Sequence, residues 1–96
     1  MNIRDKILIE VYGKDYLEFY YIDSLLEVFN DGIPRTDLPT LTGDLGWTNS
    51  RVTNYLCENN YLKTFGNGYV ITALGQMHLA KGGCRGDFIR HKLNRL

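Results

Sequence analysis

LKTFGNGYVIT, residues 62–72, carries the strongest structural signal in this 96-residue chain. Aromatic and β-branched residues lie on both sides of Gly66-Asn67-Gly68. Asn-Gly between two such runs is typical of a tight β-hairpin turn. We therefore predict an antiparallel hairpin with strands at 61–65 and 69–72 and with Asn67-Gly68 at its tip. Thr72 is then placed to cap a helix over 73–81, which a Gly-Gly pair terminates.

Two short helices are predicted immediately before the hairpin. An apolar repeat over 38–45 has helical spacing and ends at Gly46, which can adopt the left-handed conformation of a helix end. Thr48 is placed to cap the next helix, and Trp47 before it can pack on that helix as a hydrophobic staple. Two helices joined by a tight turn form a helix-turn-helix, here at about 38–59.

The N-terminal part of the chain predicts two more helices. The first covers about 3–11. The second begins near Tyr16, after a capping box formed by Asp15 and Glu18, and runs to about Phe29. It has two apolar faces, one for the core and one for either the first helix or a second chain. Residues 33–35 suit no more than an edge strand. We predict dimer contacts at Ile3, Ile7, Phe19 and Tyr20.

This order of elements resembles the winged helix-turn-helix family. Residues 68–79 look like the exit from the family's wing, and residues 50–56 followed by 60–62 are similar to its recognition helix. The resemblance covers about 16–81 and implies an α+β fold, mainly helical with a small β-hairpin. It divides the chain into an N-terminal helical extension (1–15), a winged-helix domain (16–81) and a basic tail (82–96) that can form a helix.

The predicted recognition helix offers a small polar face. A repeat of 3.6 residues per turn directs Val52, Tyr55, Leu56 and Asn59 to the core and leaves the opposite side for a major groove. Arginine suits guanine, asparagine suits adenine, and threonine can touch a thymine methyl group. Phosphate contacts are expected from the hairpin. The predicted DNA contacts are Asn49, Ser50, Arg51, Thr53, Asn54, Lys63, Asn67 and Gly68.

Charge divides the sequence into two unlike halves although the formal net charge is zero. Residues 1–48 hold four basic and nine acidic side chains, a net charge of −5, whereas residues 49–96 hold seven basic and two acidic ones, a net charge of +5. This favours a dimeric transcription regulator that binds double-stranded DNA. The neutral total and Glu58 favour the alternative, a protein-interaction or assembly module without base reading. One form of this alternative is the soluble part of a longer membrane-associated protein.

The basic tail has several open interpretations. Asp87 can cap a helix in which Ile89, Leu93 and Leu96 form an apolar stripe beside three basic residues. Such a segment can serve as a DNA-contacting arm, a dimerisation helix or an amphipathic helix on an anionic membrane surface. A solvated, frayed terminus is the remaining alternative.

Several functional classes are disfavoured. His78 and His91 have no nucleophile or carboxylate at a motif spacing, and the glycines form no phosphate-binding loop, so we predict no enzyme. Cys57 and Cys84 are expected to be free thiols, with no cofactor and no metal site. No apolar run reaches the roughly 18 residues of a membrane span, and the N-terminus does not resemble a signal peptide, which predicts a cytoplasmic protein.

Overall fold

The computed structural model describes residues 2–36 and 49–93. Within these ranges it has five α-helices and one two-stranded antiparallel sheet, so the predicted α+β class, mainly helical with a small hairpin, is confirmed. The predicted helix over 38–45, the Gly46 turn, Trp47 and Thr48 lie outside the described residues. The elements are α1 (Ile3–Tyr12), α2 (Lys14–Val28), α3 (Asn49–Glu58), β1 (Leu62–Phe65), β2 (Gly68–Ile71), α4 (Ala73–Ala80) and α5 (Gly83–Leu93).

The first two helices are separated by one residue. The Asn2 side chain caps α1 by accepting a hydrogen bond from the Asp5 N–H over 2.8 Å. Gly13 has a φ of 68° and serves both as the end of α1 and as the N-cap of α2. The predicted capping box is therefore wrong. Asp15 lies in the first turn of α2 and makes no cap, because the turn at Gly13 leaves no room for a separate capping residue.

The core lies between α2, α3, the hairpin and the start of α5. Because α2 crosses the centre of the molecule, it contributes the largest share of the buried apolar side chains. The buried cluster also includes a residue from beyond position 81, where we expected the compact domain to end. Its members are Ile22, Leu25, Leu26, Phe29, Val52, Leu56, Leu62, Ile71 and Cys84.

The hairpin forms where the sequence predicts it, but its turn lies one residue earlier. Phe65 pairs with Gly68, so the two central turn residues are Gly66, with a φ of 59°, and Asn67. The predicted tip at Asn67-Gly68 is wrong. The backbone of Arg35 approaches Gly68 so closely that a Cβ on Gly68 would stand 2.2 Å from the Arg35 carbonyl oxygen. Gly68 is needed inside the sheet and is buried there.

A third backbone segment joins the hairpin at a single residue. The Arg35 N–H donates to the Tyr69 carbonyl over 2.9 Å, and the Tyr69 N–H donates to the Arg35 carbonyl over 3.0 Å. This isolated bridge is the shortest form of the edge strand expected at 33–35. The Arg35 side chain is held as well, since its Nε donates to the carbonyl of Val28 over 3.0 Å and its guanidinium pairs with Asp31.

The last two helices close the fold against α2. The Thr72 hydroxyl accepts from the Gly75 N–H over 2.9 Å, which confirms the predicted cap of α4. The final helix begins at Gly83 rather than at Asp87, where the tail helix was predicted to start. It packs along α2 through Phe88 and is not a frayed end over the residues described here.

Candidate functional site

The outer face of α3 carries two of the predicted DNA contacts. Arg51 and Asn54 are exposed and lie one helical turn apart. Val52 and Leu56, on the inner side, are completely buried. Glu58 is exposed and lies two turns beyond Arg51. Over residues 51–58, the outer face of α3 presents the Arg51 guanidinium, the Asn54 amide and the Glu58 carboxylate.

The predicted rotation of α3 is wrong at Thr53. This side chain was expected to face a DNA groove, but it is only 2% exposed. Asn59, which was assigned to the core side, is exposed instead. Helical periodicity assigns residues at the edge of a face poorly, because a small polar side chain such as threonine can be buried through its methyl group. Asn59 follows the last residue of α3, so the helical repeat does not apply to it. Asn49 and Ser50 form the first turn of α3, and their side chains lie outside the described part of the chain.

The hairpin presents its first strand to solvent. Leu62 is buried, whereas Lys63, Thr64 and Phe65 are exposed, and Phe65 reaches 59%. Asn67 is exposed at the turn. Gly68, a predicted phosphate contact, is buried against the backbone of the bridging segment and is poorly placed for that role. Lys63 and Asn67 are the predicted hairpin contacts that remain accessible, and β1 packs directly on α3.

The predicted dimer residues divide into two groups. Ile3 and Ile7 on α1 are 75% and 54% exposed, and Val11 continues the same stripe at 64%. Phe19 and Tyr20 are half-buried under α5. The Phe19 ring lies 5.6 Å from that of Phe88, and the Arg85 guanidinium lies 5.2 Å from the Tyr20 ring. The second apolar face of α2 is thus covered by the segment that the sequence analysis treated as a tail.

Basic side chains of α5 are engaged within the chain. Arg90 donates to the Lys81 carbonyl over 2.8 Å and pairs with Asp87. The Lys92 ammonium lies 5.2 Å from the centre of the Phe88 ring, in cation–π geometry. Across residues 2–36 and 49–93, no helix is both long enough and apolar enough to cross a membrane. The proposed roles of the tail in DNA, dimer or membrane contact stay predictions.

Sequence reasoning missed a buried ionic cluster. Asp23 is completely buried in α2, and its carboxylate accepts from the Arg85 Nε over 2.9 Å. Arg85 also reaches Asp5 over 3.0 Å, and Asp5 accepts a hydrogen bond from the Tyr16 hydroxyl. These partners are separated by up to 80 positions along the chain. The one available signal was an aspartate within the mostly apolar stretch 19–26 of α2.

A second missed group lies beside it. His78 Nε2 is 3.3 Å from the Cys84 sulfur, and the His78 ring stacks on Tyr61 with a centroid distance of 4.1 Å. Both His78 and Cys84 line a cavity of about 270 Å³. Burial, reinforced by the charge of Asp23, raises the pKa of Cys84 to about 12. The free thiol is therefore protonated at neutral pH and is a weak nucleophile.

No protein-family model, curated protein or solved structure matches this chain. A functional assignment rests on the chemistry of its own side chains.

Proposed function

We propose that this chain is a winged-helix protein that binds double-stranded DNA and regulates transcription. In this proposal α3 is the recognition helix and the β1–β2 hairpin is the wing. The observation that carries it is the exposure of Arg51 and Asn54 on a helix that packs against a hairpin with an exposed Lys63.

The recognition face supports the proposal through its chemistry. Arg51 can donate two hydrogen bonds to the O6 and N7 atoms of guanine, and Asn54 can pair with the N6 and N7 atoms of adenine. Their spacing of three residues places both side chains on one side of α3, as major-groove reading requires. Each such contact discriminates against a wrong base by about 1–3 kcal/mol.

The position and the charge of the wing also support the proposal of DNA binding. Lys63 is exposed on β1 and can contact a phosphate, which orients the protein without reading sequence. The exposed Phe65 ring, next to the turn, offers an apolar contact to a sugar or a groove wall. Residues 49–96, which contain both α3 and the wing, carry a net charge of +5.

Glu58 makes the proposal more specific. Its carboxylate lies on the outer face of α3 together with Arg51 and opposes any nearby phosphate. If this face enters DNA, Glu58→Gln removes a repulsion and strengthens DNA binding. The same substitution has no reason to strengthen binding if DNA lies elsewhere on the protein.

The test is fluorescence anisotropy with a labelled random duplex pool at several salt concentrations. We expect log affinity to fall linearly with log salt, with a slope of about −0.9 for each phosphate neutralised. After selection of a preferred duplex, Arg51→Ala and Asn54→Ala should each weaken binding by about 5- to 150-fold, the equivalent of 1–3 kcal/mol.

Arg4→Ala on α1 is the matched control, because it removes the same charge from an exposed helix outside α3 and the wing. The proposal fails if the wild-type protein binds no duplex. It also fails if Arg4→Ala and Arg51→Ala weaken binding equally. Intact DNA binding in both α3 variants would favour the protein-interaction alternative for this face.

We further propose that a second copy of the chain covers the apolar stripe of α1. An antiparallel pairing centred on Ile7 would bring Ile3 of one copy against Val11 of the other. Lys6 and Glu10 flank the stripe on the same side of α1, so the same pairing would bring opposite charges together twice. The exposed apolar stripe and the flanking charges thus favour a symmetric homodimer as the occupant of this surface.

A further inference from the structure

Three side chains with metal-binding atoms converge inside the molecule. Asp23 comes from α2, His78 from α4 and Cys84 from α5, and one ligand atom of each lies within 4.8 Å of the other two. Their exposed fractions are only 0%, 8% and 5%. Because the three residues lie on three different helices, the fold rather than a local motif brings them together.

We propose that Asp23, His78 and Cys84 form a binding site for a thiophilic divalent metal ion, with Zn²⁺ as the expected ion. Thiolate, imidazole and carboxylate are the ligand types that zinc uses in proteins. Since the Cys84 thiol is protonated in the free protein, binding of the ion displaces its proton into solvent. In a tetrahedral zinc site, Zn–N and Zn–S bonds of about 2.1 and 2.3 Å place nitrogen and sulfur about 3.6 Å apart. The observed separation of 3.3 Å between His78 Nε2 and the Cys84 sulfur needs little adjustment.

The carboxylate ligand is already oriented. Asp23 Oδ1 accepts from the Cys84 N–H over 2.8 Å, and Oδ2 accepts from the Arg85 N–H and Nε over 3.0 and 2.9 Å. A carboxylate oxygen has about two acceptor positions, so the hydrogen bond from Cys84 occupies one of those on Oδ1. Outer hydrogen bonds of this kind hold metal ligands in place and raise affinity.

The imidazole is held from two further sides. His78 Nδ1 faces the Asp87 carboxylate at 3.7 Å, and the ring lies flat against Tyr61 with an interplanar angle of 10°. A carboxylate near the second ring nitrogen is the usual outer partner of a metal-bound histidine. The arrangement leaves Nε2, the nitrogen beside Cys84, as the metal ligand.

A cavity of about 270 Å³, lined by His78 and Cys84, lies beside the proposed site and can supply the fourth ligand. This space is large enough for a water molecule. His91 also borders the cavity and offers a second imidazole from α5. The cavity therefore provides both an entry route for the ion and a source for its last ligand.

The test uses Co²⁺, which replaces Zn²⁺ in tetrahedral sites and gives visible and thiolate-to-metal absorption. The full chain is freed of metal with a chelator, which is then removed, and titrated with Co²⁺ alone. We expect one equivalent to produce both the tetrahedral and the thiolate bands, and one equivalent of Zn²⁺ to abolish them. A wild-type titration without a thiolate band would overturn the proposal, with no variant needed.

Two cysteine variants locate the site. Cys84→Ser should abolish the thiolate band, whereas Cys57→Ser should keep it, because Cys57 lies on α3 outside the cluster. His78→Ala should weaken Co²⁺ binding by more than the roughly 10- to 100-fold that loss of an outer partner costs. Circular dichroism of each variant checks that it is folded. A band that disappears in Cys57→Ser and persists in Cys84→Ser would contradict the assignment.

Discussion

The carboxylate of Asp23 accepts a hydrogen bond from the backbone N–H of Cys84 over 2.8 Å, across 61 positions of sequence. The contact joins the middle of α2 to the first turn of α5. A carboxylate is favourable there because the N–H groups of a first helical turn have no partners within the helix. This one relationship places α5 on α2 and brings the Cys84 thiol to His78.

We expect Asp23→Asn to lower the free energy of unfolding by about 3 kcal/mol, because it leaves the half-buried Arg85 without its nearest negative charge. Glu27→Gln is the control. Glu27 also lies near Arg85, at 3.6 Å, but it is 57% exposed, so its loss should cost less than about 1 kcal/mol. Urea denaturation in the presence of a chelator measures both. If the Asp23 and Glu27 variants lose the same free energy of unfolding, Asp23 contributes no more to stability than an exposed charge does.

Gly83→Ala should be more damaging than Gly13→Ala, although the two glycines have nearly the same φ of 66° and 68°. Both substitutions place alanine at a positive φ, which costs about 1–3 kcal/mol. At Gly13 the new methyl group meets open space, whereas at Gly83 it would stand 2.6 Å from the Asp23 carboxylate. We expect an additional loss of about 1–3 kcal/mol for Gly83→Ala in thermal or urea unfolding.

That pair of variants compares an alanine that meets the Asp23 carboxylate with one that meets open space. If the two alanine variants unfold at the same denaturant concentration, the packing of Gly83 against Asp23 contributes nothing to stability.

Local signals in the sequence located α1 to α4 and the hairpin approximately, but they placed the start of the last helix at Asp87 instead of Gly83. Asn2, Gly13, Thr72 and the Gly66-Asn67 turn act over three or four residues, so a linear pattern contains most of the information. The hairpin turn was misplaced by one residue because the contact that excludes a side chain at Gly68 comes from Arg35, 33 positions earlier. A propensity for Asn-Gly turns cannot detect that distant carbonyl.

The candidate sites were harder to predict because their contacts also join residues that are distant in the sequence. Periodicity identified Arg51 and Asn54 as exposed but misassigned Thr53, which lies at the margin between the two faces of α3. The Asp23–Arg85 pair has no sequence signal in its spacing. His78 and Cys84 are six positions apart, across the turn between α4 and α5, and this spacing matches no familiar metal motif.

Stability should fall at alkaline pH through Tyr16. Burial and the hydrogen bond to Asp5 raise the pKa of Tyr16 from an ordinary value of about 10 to about 12. The folded state therefore holds the phenolic proton more tightly than the unfolded state does. The associated stabilisation is complete below pH 10 and is lost between pH 10 and 12, by up to about 3 kcal/mol.

The variant Tyr16→Phe tests this directly. It should cost about 1.5–3 kcal/mol at neutral pH, because Asp5 loses a hydrogen-bond donor, and it should lose less further stability between pH 10 and 12. Unfolding by urea at pH 7, 10 and 11 provides the comparison. If the wild type and Tyr16→Phe lose the same free energy of unfolding between pH 10 and 11, Tyr16 does not cause the alkaline loss of stability.

The homodimer proposal predicts a mass that depends on concentration. Light scattering should give values rising from 11.1 kDa toward twice that mass as the wild-type concentration increases. Ile7→Lys places a charge at the centre of the α1 stripe and should hold the protein as a monomer. Ile33→Lys is the control, because Ile33 is similarly exposed at 55% but lies outside α1. A wild-type protein that stays monomeric up to about 100 μM, well above the micromolar range typical of weak specific complexes, would exclude this pairing.

If α3 and the hairpin bind DNA as proposed, Lys63 and Arg51 should affect binding in different ways. Lys63 is assigned to a phosphate, so Lys63→Ala should weaken binding to all duplexes alike and reduce the salt slope by about 0.9. Arg51 is assigned to a base, so Arg51→Ala should weaken binding to the preferred duplex most and thereby reduce sequence preference. Anisotropy titrations with one preferred and one scrambled duplex, each at three or more salt concentrations, separate the two effects. A uniform loss for Arg51→Ala, with a changed salt slope, would reassign that guanidinium from base reading to the phosphate backbone.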